Sequence, residues 1–513
     1  MYDIGGHKQL FIDERFLRDA ENVALVVNPP TGREIVLESE RPWEAYRVFF
    51  SSVLDVGDGY RMYYTDMAFD AGGRATTNLC LAVSSDGREW ERPELGLFEF
   101  QGSRKNNIVA PYVHGAPIYD PTWPFDRPYL MVGTVSGLFD PDGLKPPDEG
   151  DRARRLTLRD PNFGARPNNP HLFASADGVH WEVAVGPLCD FACDNWTNQV
   201  LYDQRLRKFV AYLRAFPGRR TVARYETDDP TRTPWGVVRP DAEPNGYGGI
   251  YITNELPTVM DVDEEDRWRG DVQNPAVVVY PWAEDVYLAF PSLHRYYPGC
   301  EAGPEHRFRF FNDGVDDVHL YVSRDGVEGE RPSRWPYLGL GVWGEYDGGS
   351  LFTGLGVVRS GNELWQYYTA CRRTHGGIVP SEGNVARICR VRQRLDGFVS
   401  ADADHRGGQF DTPLLRFRGE RLVLNINCGG MGEAWVEIQD EEGCPVPGFE
   451  MDRCDPIDRN FVAYPVTWRN DPDVSVLQGR RVRLRFRMRS TKLYAFQFTG
   501  AGEVEDYRRS VHV

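Results

Sequence analysis

The sequence predicts an all-β protein, a five-bladed β-propeller followed by a C-terminal β-sandwich. The first ground is a recurring acid at the head of an apolar strand: Glu44, Asp120, Asp194, Asp271 and Asp347 stand at steps of 76, 74, 77 and 76 residues. The second is a turn motif in phase with that repeat: Ser84-Ser85-Asp86-Gly87, Ser175-Ala176-Asp177-Gly178 and Ser323-Arg324-Asp325-Gly326, each after a short apolar strand. The third is the loss of this rhythm past about residue 400, where strands follow one another without the repeat. A fixed period of this length signals radial repetition of one supersecondary unit.

The chain opens with Leu10-Phe11-Ile12-Asp13-Glu14-Arg15-Phe16-Leu17, a strand-like segment expected to close the ring by pairing with the last blade. The propeller is placed at 1–400, with 1–40 as its closing segment. Each acid is followed by two apolar runs around a Gly, Asp or Pro turn, as in AYRVFFSSVLDVGDGYRMYY and NPAVVVYPWAEDVYLAF, which reads as hairpins. The Asp-Gly turns supply the φ > 0 position of a tight turn, Trp90 and Trp181 follow to pack over them, and the weaker third-repeat counterpart is Thr227-Asp228-Asp229-Pro230 with Trp235. These turns are expected to be structural. Long connections at 136–170, 237–270 and 295–316, rich in Gly, Pro and charge, are expected to wall a central pocket. The sandwich is placed at 401–513, where Val482, Leu484, Phe486 and Met488 alternate with Arg483, Arg485 and Arg487, the pattern of a sheet with one wet face.

Composition sorts the function classes. Aromatics at 13%, with 52 Gly and 36 Pro, suit many short strands and turns rather than helices. A net charge of −17 argues against a nucleic-acid partner. No 18-residue apolar run indicates a membrane span, and the first residues lack a basic stretch leading into an apolar one, so a cytoplasmic location is expected. The nine cysteines, an odd and scattered set, fit a reducing compartment.

Innermost strands of a propeller line its channel, so acids at their starts should converge at one mouth. A cluster of like charges raises some carboxyl pKa values and leaves others low, the division that glycoside hydrolysis needs between proton donor and ionised partner. Trp43, Trp123 and Trp196 stand beside three of the acids, and flat apolar faces next to carboxylates suit a sugar.

On QLFIDERFL, Pro42-Trp43-Glu44, AVSSDGREWERPELGLFEF, YVSRDG, RLDGFVSADA and LLRFRGERLVLNIN, the chain resembles the five-bladed propeller glycosidases of families 32, 43, 62, 68 and 117. It looks most like uncharacterised bacterial proteins labelled family 32 N-terminal-like, over nearly its whole length. The resemblance implies a first-blade carboxylate at Glu44, a transition-state stabiliser at Asp120, and the acid or its partner at Asp194 or Asp271. The sucrose-hydrolase motif Trp-Met-Asn-Asp-Pro and the Glu-Cys pair of the acid are absent from the sequence, so fructosidase activity is not implied. Arg159-Asp160-Pro161 matches an Arg-Asp-Pro tripeptide of the family, but Asp120-Pro121 is preferred because a hairpin follows it.

Asp13, Asn198, Asn274, His294, Arg295, Asp347 and His375 are the further candidates for substrate contact. No cofactor is required by this reading, although the acids could hold a calcium ion in the channel. The expectation is a glycosidase acting on an oligo- or polysaccharide. The alternatives are a carbohydrate-binding propeller without chemistry and a glycoside phosphorylase, for which His294 and Arg295 are the sequence hint.

Overall fold

The computed structural model describes residues 1–69, 75–135, 170–189, 197–215, 219–236, 256–266, 270–298, 313–376, 383 and 385–500. The chain is all-β, and the helical turns among these residues are three-residue 3₁₀ turns. Five antiparallel units of four strands follow one another. Blade 1 is Arg47–Asp55, Tyr60–Phe69, Ala75–Ser84 and Ile108–Pro111. In blade 2 the inner strand is split into Val113–Gly115 and Ile118–Tyr119, followed by Tyr129–Val135, Pro170–Ser175 and Glu182–Val185. Blade 3 is Gln199–Asp203, Lys208–Ala215, Thr221–Thr227 and Thr258–Met260.

Blade 4 is broken midway along its strands. Gly270–Val272, Ser292–Tyr296 and Gly314–Val318 form its upper half. Val277–Val279, Tyr287–Ala289, Tyr321–Ser323 and Gly329–Glu330 form the lower one. Blade 5 is Ser350–Ser360, Glu363–Cys371 and Ala386–Arg394, completed by Thr31–Glu38 from the other end of the propeller sequence.

That last pairing corrects an expectation. The ring is closed by Thr31–Glu38, whereas Leu10–Leu17 belongs to the sandwich. Tyr2–Gly5 pairs with Leu415–Phe417, Gln9–Leu10 with Thr491–Thr499, Arg18–Glu21 with Gly408–Asp411, and Val23–Val27 with Val399–Ala403. Burial explains the choice: Phe11 and Phe16, at 0% and 1% exposure, pack against Phe410, Phe486 and Phe496. A ring-closing strand at Leu10–Leu17 would give up this aromatic cluster. Val482, Leu484, Phe486 and Met488 lie in the same core, as their alternation predicts.

The Asp-Gly turns prove to be latches between blades. In each, the Ser hydroxyl accepts the Gly N–H and the Asp carboxylate accepts the next two amides, which fixes the Gly at φ +68, +74 or +76. The Gly carbonyl then accepts from a buried tyrosine of the preceding blade: Tyr63 to Gly178 at 2.7 Å, Tyr212 to Gly326 at 3.0 Å, and Tyr367 to Gly87 at 2.6 Å. Trp90 and Trp181 pack edge-on against Tyr367 and Tyr63.

A Cβ at Gly326 would sit 2.6 Å from the Tyr212 hydroxyl and 2.8 Å from the Tyr287 ring, in a backbone region that L side chains avoid. Gly326→Ala is therefore expected to cost about 2 kcal/mol and Tyr212→Phe about 1 kcal/mol, read as shifts in urea midpoint at constant slope.

Candidate active site

At one end of the propeller the inner strands begin, the second strands end and the third strands begin. Blades 3, 4 and 5 gather ionisable groups there. Asp271 lies directly opposite His294, and His294 directly opposite Asp316, on three adjacent strands of blade 4. Directly opposed residues share a face, so the three side chains form a row. Asp316 in turn lies beside Ser350 at the start of blade 5.

His294 and Asp316 are fully buried and joined by a 2.9 Å contact between Nδ1 and Oδ1. Neither His294 Nε2 nor Asp316 Oδ2 has a hydrogen-bond partner among the described residues. Each such orphan costs about 1–3 kcal/mol, which marks the pair as shaped for something other than stability.

Asp271 is held from three sides. Tyr296 donates its hydroxyl at 2.6 Å, the buried Arg220 guanidinium stands at 3.3 Å, and the Gln273 amide donates at 3.3 Å. Burial, and then the Asp271 charge, push the Tyr296 phenol far up, so it stays a donor. Burial alone would lower the Arg220 pKa, but Asp271, Tyr296 and Asp316 raise it, so the guanidinium stays charged. Arg214 donates to the Gln273 backbone oxygen at 2.6 Å and side-chain oxygen at 3.2 Å. The His375 ring lies 4.8 Å from His294 and 6.1 Å from Phe352. Burial, helped by the charges of Arg220 and Arg47 and by His294, depresses its pKa well below the usual histidine range despite Asp316, so His375 is neutral at pH 7.

Of the sequence candidates, Asp271, His294 and His375 are brought together here. Asn198 sits beside them, accepting the Arg214 amide at 2.9 Å. Asp194 and Trp196 lie outside the described residues, as do 136–169, 237–255 and 299–312 of the long connections.

The others do different work. Glu44, expected as the first-blade carboxylate, is fully buried and accepts from Tyr64 at 2.5 Å, Arg92 at 2.8 Å and the amides of residues 40 and 41 at 2.9 and 3.2 Å. Every lone pair it could offer a sugar is in use. Asp120 ends its strand rather than opening it and caps a turn at the opposite end of the channel, accepting Thr122 N at 2.7 Å. Asp347 pairs with Arg33 on the outermost strand of blade 5, away from the row. Asp13 caps a 3₁₀ turn and binds Arg324 through both oxygens at 2.8 Å, tying the sandwich to blade 4. Trp43 donates to Asn107 at 2.9 Å and Trp123 to the Arg127 carbonyl at 2.8 Å, each in a packed cluster. Asn274 bridges Thr353 O at 2.7 Å and Ser292 N at 3.0 Å, bracing blade 4 against blade 5, and Arg295 points to solvent.

Asp316, Arg220, Tyr296 and Arg214 are not legible in the repeat because they lie on or beside second and third strands, and Gln273, two residues after Asp271, carries no charge to mark it. The signal that could have found Asp316 is Asp316-Asp317 opening an apolar strand, the same pattern used for the inner strands. Among the described residues no group of three or more His, Cys, Asp or Glu is placed to hold a metal ion.

Blade 1 carries a second missed carboxyl. Asp66 is fully buried beside Glu44 and Cys80, accepting Asn78 N at 2.9 Å. Burial, and then the Glu44 charge, raise its pKa well above the carboxylate range against the Asn78 hydrogen bonds. The folded state therefore holds a proton that the unfolded state releases, so stability falls as pH rises from the unfolded carboxylate range toward the raised value. The thermal midpoint of the parent is expected to decline over that window, and Asp66→Asn to flatten the decline.

No family model matches the chain, and no curated protein matches it. Solved structures are similar at low identity. A structure titled "Glycoside hydrolase" is 12% identical over 71% of this chain and 92% of that one, with a TM-score of 0.45. A glycosyl hydrolase from Bacteroides ovatus is 12% identical over 76% and 97%, at 0.40. A structure titled for the mannoside phosphorylase family GH130, with glycoside hydrolases that target β-1,2 mannosidic linkages in Candida mannan, is 13% identical over 77% and 99%, at 0.41.

Proposed function

We propose that the protein hydrolyses a glycosidic bond of an oligo- or polysaccharide at the Asp271–His294–Asp316 row. The observation that supports this most is the row itself, two buried carboxylates flanking an imidazole where the channel opens. Strands stand about 4.8 Å apart, so the backbones carrying Asp271 and Asp316 are about 10 Å apart, close to the roughly 6.5–9.5 Å between carboxyl groups used for inversion.

Asp271, held in place by Arg220 and Tyr296, takes the proton of the attacking water. Asp316 supplies the proton to the leaving oxygen from its unpartnered Oδ2, with His294 fixing the other oxygen.

A second reading draws on the cations. Arg220, Arg214 and two imidazoles at the row would also suit inorganic phosphate as the attacking group, making the reaction phosphorolysis. The test is release of nitrophenol or reducing sugar from aryl α- and β-glycosides and from polysaccharides, with and without phosphate, in the parent and in Asp271→Asn. Turnover lost in the variant supports hydrolysis, turnover that needs phosphate supports phosphorolysis, and glycan binding without turnover in the parent sinks both in favour of a binding propeller.

A further inference from the structure

A cavity lies at the opposite end of the propeller from the reacting row. It holds about 820 Å³, within the range of small-molecule sites. On its wall the Gln199 side chain pairs with the Val277 backbone, Nε2 donating to the carbonyl at 2.8 Å and Oε1 accepting from the amide at 2.9 Å. All five blades line the cavity with apolar residues of their inner strands: Leu54, Ile118, Leu201, Val277 and Leu355. The sandwich side contributes Gly6, His7, Lys8 and Gln497, so the cavity sits at a domain junction.

We infer that this junction cavity binds a neutral saccharide, as a site separate from the reacting row. Its charges decide the ligand class. Asp120, Asp203, Glu284 and Asp285 line it against only Lys8 and Arg205 as permanent cations. Both cations are engaged, Lys8 by Asp396 at 3.0 Å and Arg205 by Asp285, so an anion finds no receptor. A purely apolar ligand would leave the Trp282 indole N–H and the second Asp120 oxygen unused.

A sugar matches both halves, its C–H face on the aliphatic wall and its hydroxyls donating to Asp120 and accepting from Trp282. Asp120 uses Oδ1 for its turn and is partly exposed, and Trp282 lines the cavity with an indole N–H that has no acceptor among the described residues. The acids here serve binding and not chemistry, because Asp203 caps a turn and accepts from Tyr287, and Asp285 is paired with Arg15 and Arg205. This inference stands apart from the hydrolase reading.

The experiment is saturation-transfer NMR and thermal midpoint of the full chain with millimolar glucose, galactose, mannose, xylose, arabinose, maltose and cellobiose. It is run on the parent, Asp271→Asn, Val279→Trp and Asp120→Ala. The expected result is that at least one sugar binds and raises the midpoint in the parent and in Asp271→Asn. Its dissociation constant should be at least tenfold weaker in Val279→Trp, which fills the cavity, and in Asp120→Ala, which removes one acceptor from an exposed turn. Should Val279→Trp not fold, Asp120→Ala alone decides. No binding by any of these sugars, binding that both cavity variants leave unchanged, or a midpoint raised instead by inorganic phosphate or spermidine would each overturn the inference.

Discussion

Asp271→Asn is expected to lower turnover about 10²–10⁴-fold, the usual contribution of a positioned acid or base. The variant removes a charge that the buried Arg220 faces, so it also loses stability, and activity alone does not separate the two causes. Two further measurements do. In Asp271→Gly the space left beside Tyr296 and Arg220 admits formate, and added formate should restore part of the turnover if the lost group was a base. Tyr296→Phe removes the 2.6 Å donor without touching the charge pair, which should move the acidic limb of the pH–rate profile if Asp271 is the base. A turnover that formate leaves untouched, together with an unmoved acidic limb, would mean that Asp271 only braces the strand.

The fold was legible where chemistry repeats locally. Asp-Gly turns need a positive φ, and Gly87, Gly178 and Gly326 all have one. Alternation along Val482–Met488 fixed which face is wet, because strand period leaves one answer. The tyrosines that latch onto those turns were visible as letters but not as partners, since Tyr212 and Gly326 are 114 residues apart and pattern does not carry long-range pairing. The place of the N-terminal strand is hidden for a related reason: Leu10–Leu17 suits a propeller edge or a sandwich core equally, and only the packing of Phe11 and Phe16 decides.

The acids show the same limit. Glu44, Asp271 and Asp347 share a phase in the repeat, yet Glu44 is enclosed by Arg92 and Tyr64, Asp347 is taken by Arg33, and only Asp271 meets the row. Phase gives height along a blade but not which neighbour claims the carboxylate.

Asp396→Ala is expected to cost about 3–5 kcal/mol, the usual result of leaving a buried charge uncompensated. Asp396, fully buried, accepts from Lys8 Nζ at 3.0 Å, the Tyr280 hydroxyl at 2.7 Å and the Asn425 amide at 3.1 Å. Those donors come from the N-terminal segment, blade 4 and the sandwich, so one carboxylate fastens three parts of the chain. Burial, and then the Asp396 charge, hold the Tyr280 phenol far above its usual pKa, so all three remain donors across the working range. Removing the acceptor strands each of them, and the midpoint of urea unfolding should fall accordingly. Asp402→Ala offers the contrast: its partner Lys492 is about a third exposed, and the expected loss is about 1 kcal/mol or less. The decisive variant is the double one. Lys8→Met with Asp396→Asn leaves no buried charge and keeps an acceptor at a position whose φ of +61° Asn tolerates, so it should recover a large part of what Asp396→Ala loses. If the double variant is no more stable than Asp396→Ala, the penalty comes from packing at the junction and not from the stranded Lys8 ammonium.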